Sequence, residues 1–248
     1  WTMPPFMGLT SWAAFMPGEK TEVMVMGDLV LFEDEVNPVM SVAHDSGLTV
    51  TALHNHFFYD QPRVYFMHLG GEGSVEQLAG GVKAAFARVD EIRAAQKTPA
   101  RSFGRPIPTT NTIEAAPLAQ ILSAEPQARD GMAKFVFGRT ARMACGCEVG
   151  AEMGVNTWAA FAGTMDDAVV DGDFAVLEDE LQAVLKSLRG EGINIVAIHH
   201  HMTHETPRIL FLHYWGRGAA EALARSLRKT LDVQSAATTD TRHEMDHP

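Results

Sequence analysis

The residues best suited to chemistry in this chain are histidines in two similar groups. Each group has a His-x-His pair followed by a third histidine, and the two groups are offset by 145 positions. Because alternate residues of a β-strand project to one face, both members of a His-x-His pair point the same way. Imidazole is a common ligand of zinc, and copper is the second choice for such a site. The predicted metal ligands are His54, His56, His68, His199, His201 and His213.

The third histidine of each group is expected on the returning strand of a hairpin. If the first hairpin turns symmetrically about Gln61, His68 lies opposite His54. The same reasoning places His213 opposite His199 in the second hairpin. Cross-strand neighbours have Cβ atoms about 4.5–5.5 Å apart, so three imidazoles can reach one ion. Three histidines with a free fourth position are typical of a catalytic or exchangeable zinc site.

Acidic side chains at the start of two predicted helices are candidates to complete the metal shell or to act as general bases. They are Glu33, Glu35, Glu178 and Glu180. Asp60 and Glu205, in the hairpin turns, are second candidates. The glutamates are equally explained as first-turn acids, which the helix dipole favours. Arg63 and Arg208 follow the turn prolines and are predicted to hold a carboxylate or to clamp a small anionic ligand.

These groups belong to an internal repeat that covers most of the chain. Residues 7–15 return as 153–161, residues 27–35 as 172–180, and residues 47–56 as 192–201. Within each copy, the spacing of apolar residues predicts the order β-β-α-β-β-α. The predicted fold class is α+β: two tandem repeats of this unit, with mostly antiparallel sheets, helices on one face and a pseudo-twofold arrangement.

Composition sets the predicted domain boundaries. Residues 1–96 form the first repeat unit and residues 113–234 the second. Residues 97–112 contain three prolines and are predicted to be a linker, and the polar residues 235–248 are predicted to be a flexible tail. The second unit has a segment before Met153 with no counterpart in the first, so we expect the first unit to lack an N-terminal segment.

The bulk composition narrows the classes of partner. The chain has 248 residues, a formal net charge of −11 and 46% hydrophobic residues. Binding to a phosphate backbone needs a basic surface, so nucleic acid is not expected as a partner. No apolar run approaches the roughly 20 residues that a transmembrane helix needs. The two cysteines, Cys145 and Cys147, are interpreted as small strand residues, with free thiols or a contact to a soft metal as alternatives.

Several strings in the chain resemble one known family. They are WAAF at 12–15, EDEVNPVM at 33–40, ALHNH at 52–56, FMH at 66–68, AIHHHMT at 197–203 and LHYWG at 212–216. Over nearly its whole length the chain resembles the LppY/LpqO-like family of bacterial extracytoplasmic proteins. The resemblance implies an exported or lipid-anchored protein, and it supplies no established activity. The second copy has His200 where the first has Asn55, which predicts either that the two sites differ in affinity or that one of them is vestigial.

The sequence leaves three functions open. The first is an extracytoplasmic protein that buffers, senses or delivers zinc or copper. The second is a metal-dependent hydrolase, in which three histidines hold zinc and a glutamate is the general base. The third is a metal-free module that binds a small anion or a component of the cell envelope. The sequence makes no prediction of the oligomeric state.

Overall fold

The chain folds as two units. A computed structural model describes residues 2–100 and 106–245, with side chains described as far as residue 237. Unit 1 is Trp1–Gly104 and unit 2 is Arg105–Pro248. This boundary falls inside the predicted linker, whose described residues, 97–100 and 106–112, contain no helix or strand. Residues 101–105 of the predicted linker lie outside the described residues.

Unit 1 has a four-stranded antiparallel sheet and two helices. Its elements are β1 (Trp12–Pro17), β2 (Val23–Phe32), α1 (Glu33–Asp45), β3 (Thr49–His54), β4 (Val64–Gly73) and α2 (Val75–Ala95), after a short 3₁₀ turn at Pro5–Met7. The strand order is β1-β2-β4-β3. The helices α1 and α2 pack against each other and against the sheet. On β2, buried Val25, Leu29 and Leu31 alternate with more exposed residues, which is the pattern of a sheet covered on one face.

Unit 2 has a larger antiparallel sheet. Its elements are α3 (Ala115–Leu122), β5 (Gln127–Arg129), β6 (Met132–Gly138), β7 (Ala141–Arg142), β8 (Glu148–Val149), β9 (Asn156–Gly163), β10 (Ala168–Leu177), α4 (Glu178–Gly190), β11 (Asn194–His199), β12 (Ile209–Gly218) and α5 (Ala220–Met245). Six strands form one sheet in the order β11-β12-β10-β9-β6-β5. The strands β7 and β8 form a separate two-stranded hairpin.

The predicted α+β class with antiparallel sheets is confirmed. The order β1-β2-α1-β3-β4-α2 of unit 1 occurs again in unit 2 as β9-β10-α4-β11-β12-α5. Within the described residues, α3 and β5 to β8 have no counterpart in unit 1. A residue of unit 1 and its counterpart in unit 2 differ in number by 146 up to Phe15 and by 145 from Gly27 onward.

The last helix extends further than the sequence indicated. Residues 235–245, which we predicted to be part of a flexible tail, continue α5 to Met245. Gln234 explains the continuation, because its buried Nε2 donates to the carbonyl of Ala175 and to Glu180 and so holds the helix on the sheet. No described helix, α5 included, is both long and apolar enough to cross a membrane.

A glycine at the centre of unit 2 lets two strands and a tyrosine ring approach closely. A Cβ atom at Gly172 would overlap the Tyr214 hydroxyl and the carbonyl oxygen of Trp158. Tyr214 is fully buried, and its hydroxyl donates to that same carbonyl at 2.9 Å. Gly172 precedes Asp173 on β10, and Tyr214 follows His213 on β12. This packing therefore fixes the relative position of the two strands.

We predict that Gly172→Ala lowers the free energy of unfolding by about 3 kcal/mol, because overpacking displaces either the ring or a strand. Gly27→Ala is the matched control in unit 1. The three atoms nearest to a Cβ there all belong to β1, with the Trp12 carbonyl oxygen at 2.8 Å. Within unit 1, β1 pairs with β2 alone and can shift, so we expect a loss of about 1 kcal/mol. Urea denaturation followed by circular dichroism measures both; equal losses would contradict the assignment to Tyr214.

Candidate metal centre

The hairpin β11–β12 carries the second histidine group with a register that differs from the predicted one. His199 pairs with Phe211, and His213 pairs with Ala197, so His213 is a diagonal neighbour of His199 and the predicted opposition was wrong. The first hairpin shows the same difference, since His54 pairs with Phe66. The displacement is two residues, which leaves the imidazoles on one face because side chains alternate with a period of two.

The carboxylates in the two turns explain the displacement. Asp60 accepts a hydrogen bond from the amide of Val64 at 2.8 Å, and Glu205 accepts one from the amide of Ile209 at 3.1 Å. Each hydrogen bond centres its turn on the acidic residue. This centre lies one residue earlier in the chain than the centre assumed in the prediction. Asp60 and Glu205, which were second candidates for the metal shell, therefore act as turn-closing groups.

In unit 2, two histidines and one aspartate converge. The Nε2 atoms of His199 and His201 are 3.2 Å apart, and Nε2 of His201 is 3.5 Å from Oδ2 of Asp173. One donor atom from each residue lies within 4.8 Å of the other two. His213 lies beside this group, with its Nδ1 3.8 Å from Oδ1 of Asp173 and its ring centroid 4.5 Å from that of His199.

Neighbouring strands and one aromatic ring hold these side chains in place. Asp173 lies on β10 directly opposite His213 on β12. His201 lies just beyond the end of β11, where the strand no longer orients it, and stacks on Phe211 with 3.5 Å between ring centroids and 9° between planes. Phe211 is fully buried, so it gives the imidazole a rigid support. The group is thus positioned by three strands and a stacked ring.

Burial determines the charge state of the group. It raises the pKa of Asp173 to about 6; His213 opposes this rise and Asp171 adds to it. Burial, together with smaller contributions from the nearby His213 and His201, lowers the pKa of His199 to about 4. The pKa of His201 is lowered, again mainly by burial. At neutral pH the group therefore combines an ionised carboxylate with imidazoles that keep a free lone pair.

One oxygen of the buried Asp173 carboxylate has no hydrogen-bond partner among the described residues. Only 2% of the residue is exposed, and within the described residues its Oδ1 atom accepts no hydrogen bond. A buried charge is costly unless it is paired, hydrogen-bonded or bound to a metal. The separations also suit an ion: zinc–nitrogen bonds of about 2.0–2.1 Å place two tetrahedral ligand atoms about 3.3 Å apart.

The first histidine group has a different geometry. Nε2 of His54 lies 2.9 Å from Nε2 of His68, so these two imidazoles meet. His56 stacks on Phe66 at 3.5 Å and lies nearly parallel to His54, with centroids 5.2 Å apart. Asp28 pairs with His68 across the strands, and its Oδ1 is buried with no hydrogen-bond partner among the described residues. Within those residues, three donor atoms converge within 4.8 Å in unit 2 and not in unit 1.

Two of the predicted general bases are engaged at the start of a helix. Glu35 and Glu180 accept hydrogen bonds from the amides of Phe32 and Leu177, at 2.7 and 3.0 Å. Both are almost fully buried, and burial raises the pKa of Glu35. Arg93 lies 2.7 Å from Glu35, and Arg139 forms an ion pair with Glu180. These contacts do not support a role as general base.

The other predicted residues lie on the surface. Glu33 and Arg63 line a shallow pocket with Pro62, Pro99 and Ala100. Glu178 lies 3.9 Å from Arg208, and both side chains are more than half exposed. The two pairs are equivalent in the repeat, so in each unit the arginine lies close to a glutamate, which weakens the electrostatic attraction for an added anion.

Sequence reasoning missed Asp173 and its counterpart Asp28. The signal that identifies them is an aspartate directly after a glycine within a mainly apolar strand, present in both copies of the repeat. A charged side chain at a strand position where the alternation of residues predicts burial must be compensated by a neighbouring group. The neighbouring strand in each unit carries the third histidine of the group.

We predict that Asp173 in the metal-free protein titrates near pH 6, because burial favours its neutral form. As the pH falls from 7 to 5 the carboxylate takes up a proton, while His199 stays neutral until about pH 4. The carboxyl carbon shifts in a ¹³C NMR titration measure this, and Asp173→Asn assigns the signal. If no aspartate signal titrates above pH 5, the carboxylate is not buried as described.

We also predict that Glu180→Gln lowers the free energy of unfolding by about 3 kcal/mol, because it leaves the charge of Arg139 without its buried partner. Glu178→Gln is the matched control on the same helix turn. Its side chain is 62% exposed, so we expect a change within about 0.5 kcal/mol. Thermal and chemical denaturation of the two variants measure the difference. Equal stabilities would show that the ion pair has no structural role.

The chain matches a family model and is distantly similar to solved structures. The family model described as "Domain of Unknown Function (DUF1259)" matches residues 1–88 and 116–233. No curated protein shows a significant match. The ethanolamine utilization protein EutL from Leptotrichia buccalis aligns over 92% of this chain and 93% of its own, at 9% identity and a TM-score of 0.26. A double-ringed trimeric shell protein from the RMM microcompartment aligns over 87% and 83%, at 10% identity and a TM-score of 0.23. Likenesses at this level carry no inference about this chain.

Proposed function

The chain belongs to the family described as "Domain of Unknown Function (DUF1259)", and because that description names no activity, we propose a function from the site itself. The proposed function is reversible binding of a transition-metal ion by Asp173, His199 and His201 in unit 2. Zinc is the first choice of ion and copper the second. The observation that carries the proposal is the convergence of one carboxylate oxygen of the buried Asp173 with one imidazole nitrogen each of His199 and His201, all within 4.8 Å of one another.

The donor types favour zinc over hard cations. Calcium and magnesium prefer shells made of oxygen atoms, whereas this group offers two imidazole nitrogens and one carboxylate. Zinc accepts this mixture, and three protein ligands leave a fourth position for water or another ligand. Copper also binds imidazole, and ligand type alone does not exclude it. Zinc therefore ranks first because a mixed nitrogen and oxygen shell is ordinary for it.

The exposure of the site suits exchange of the ion with solvent. The side chain of His201 is 39% exposed, whereas that of Asp173 is 2% exposed. The inner side of the group is therefore buried, and its outer side is open to solvent. A closed structural zinc site would surround the ion with four protein ligands. An open three-ligand group is consistent with buffering, sensing or delivery of the ion.

His213 is assigned a positioning role. Its Nδ1 lies between the carbonyl oxygen of Gly172, at 3.4 Å, and Oδ1 of Asp173, at 3.8 Å. A ring at that place orients the carboxylate and supplies partial positive charge, as groups around metal ligands commonly do. We propose that unit 2 binds the ion more tightly than unit 1, where His56 lies parallel to His54 and the third donor is not aligned.

The alternative functions have less support. A metal-dependent hydrolase needs a general base beside the ion, and Glu35 and Glu180 are already paired with arginines. A metal-free anion-binding module needs uncompensated positive charge, and Arg208 lies near Glu178. The proposal keeps the extracytoplasmic location, which rests on the resemblance to the LppY/LpqO-like family. It also keeps the duplication of one unit, which rests on the sequence repeat.

The test is zinc binding to tag-free protein, measured by calorimetry and by elemental analysis after dialysis. We expect the pair His199→Ala plus His201→Ala to lose tight binding, and the matched pair His54→Ala plus His56→Ala to retain it. His213→Ala should weaken binding by about 10-fold to 100-fold, the usual effect of removing a group that orients a ligand.

Asp173→Asn separates binding from folding, because it keeps the shape of the side chain and removes its charge. We expect this variant to unfold at the same or a higher denaturant concentration without metal and to lose the stabilisation that zinc gives the wild type. Zinc binding that survives both His199→Ala plus His201→Ala and Asp173→Asn would end the proposal.

A further inference from the structure

The two cysteines of the chain lie in the turn that joins β7 to β8, the dithiol turn (residues 143–147). The interpretation of Cys145 and Cys147 as strand residues is wrong, because β7 ends at Arg142 and β8 begins at Glu148. Both cysteines are free thiols, and both are exposed to solvent. Exposed thiols can react with solutes and bind metals, whereas buried structural cysteines are inert.

Gly146 sets the shape of the dithiol turn. Its φ of 85° lies in the left-handed region, which glycine adopts without a steric penalty. The amide of Gly146 donates to the carbonyl of Met143, and the amide of Met143 donates to the carbonyl of Cys147, both at 2.8 Å. This pattern is that of a hairpin loop that ends in a left-handed glycine. The loop places one cysteine on each side of the glycine.

The two thiols meet across Gly146. Each is the hydrogen-bond partner of the other, and this contact lowers the pKa of Cys145 and raises the pKa of Cys147. The Cys147 thiol therefore donates to the sulfur of Cys145, which is the first of the two to ionise. The thiolate is the form of cysteine that binds metals. The turn thus keeps two sulfur atoms in contact and favours the ionised form of one of them.

Contacts at the base of the dithiol turn hold it in place. The amide of Arg142 donates to the carbonyl of Thr206, and the amide of Thr206 donates to the carbonyl of Arg142, both at 2.9 Å. Ala141 of β7 is buried in an apolar cluster that contains Phe211, and Val149 of β8 packs against that cluster. Both strands of the hairpin are therefore anchored. A ligand that binds the turn has little conformational freedom to remove from the chain.

Met143 adds a third sulfur atom to the dithiol turn. Its amide bonds to Cys147, so the two residues face each other across the hairpin. Residues paired in this way have Cβ atoms about 4.5–5.5 Å apart, a distance that a methionine side chain can span. Thiolates and thioethers are soft ligands, which select Cu(I) over hard cations. Zinc requires four ligands, whereas Cu(I) is satisfied by fewer when they are soft.

We propose that Cys145 and Cys147, with Met143 as a third ligand, bind one Cu(I) ion. This site is separate from the group formed by Asp173, His199 and His201, because the two share no residue. Binding releases the thiol protons to solvent and leaves the copper as Cu(I). Unit 2 thus has a nitrogen and oxygen site for zinc and a sulfur site for Cu(I), and neither proposal rests on the other.

The test is an anaerobic titration of the reduced, tag-free chain with Cu(I), in competition with the chelator bicinchoninate. We expect one Cu(I) per chain to be retained. Cys145→Ser plus Cys147→Ser should weaken binding by more than about 100-fold, because even the loss of a group that only orients a ligand costs about 10-fold to 100-fold. X-ray absorption at the copper edge should show sulfur neighbours.

Gly146→Ala tests the geometry of the turn while both thiols remain. Alanine is strained at a φ of 85°, so the turn opens and the affinity for Cu(I) should fall about tenfold. Gly190→Ala is the matched control. A Cβ at Gly190 meets no atom within 4 Å, and its backbone lies outside the left-handed region. This variant should bind Cu(I) as the wild type does.

Met143→Leu tests the third ligand, because it keeps the size of the side chain and removes its sulfur. The affinity for Cu(I) should fall about tenfold. Met132→Leu is the matched control, since Met132 is an exposed methionine of unit 2 that lies on β6 and outside the dithiol turn. It should leave the affinity unchanged.

The proposal fails if bicinchoninate removes all the copper, if Cys145→Ser plus Cys147→Ser binds as the wild type does, or if the copper neighbours are nitrogen atoms. It also fails if Gly146→Ala and Gly190→Ala bind equally. Loss of Cu(I) in His199→Ala plus His201→Ala would assign the ion to the histidine group instead. A Cys145–Cys147 disulfide that forms in air, with no Cu(I) bound after its reduction, would assign the pair to thiol–disulfide exchange.

Zinc binding measured on the same variants keeps the two proposals distinguishable. We expect Cys145→Ser plus Cys147→Ser to bind zinc as the wild type does and to lose Cu(I). We expect His199→Ala plus His201→Ala to lose zinc and to keep Cu(I). Loss of zinc in the cysteine variant with Cu(I) retained would overturn the assignment of the dithiol turn to Cu(I).

Discussion

The cost of burying a carboxylate is the constraint on which the functional centre depends. Asp173 lies on a central strand of the unit 2 sheet, where only 2% of the residue is exposed, and burial raises its pKa to about 6. A group held in this way stabilises any cation that reaches it, because the protein gives it little hydrogen bonding in return. The imidazoles above it are kept neutral by the same burial. Burial thus shifts the pKa of both kinds of ligand, the carboxylate and the imidazoles.

Buried carboxylates are also present at the start of α1 and α4, where an arginine lies beside each of them. Glu35 and Glu180 each accept a main-chain amide and pair with an arginine. The arginines come from different elements, α2 in unit 1 and the segment after β6 in unit 2. The two kinds of buried acid therefore have different neighbours: a charged arginine lies beside each glutamate, whereas imidazoles lie beside Asp173.

The two units share one arrangement of strands and helices but differ in parts of their surface. Each turns its histidine hairpin around a carboxylate and supports one imidazole on a buried phenylalanine, Phe66 or Phe211. They differ beside the turn of that hairpin, where unit 1 has the exposed Phe58 and Tyr59 and unit 2 has polar residues. Duplication preserves the parts that fix the backbone, and the exposed parts are free to diverge because they contribute little to stability.

The sequence by itself determined the α+β class, the order of elements and the clustering of histidines on one strand face, because these follow from local periodicity and from the repeat. It did not determine the pairing of His213 with Ala197, which depends on a hydrogen bond from Ile209 to Glu205 across the turn. Nor did it determine the convergence of Asp173 with His199 and His201, because β12 lies between β10 and β11 in the sheet and each of them pairs with β12. Strand order and register are long-range properties, so only the tertiary structure decided which acid meets the imidazoles.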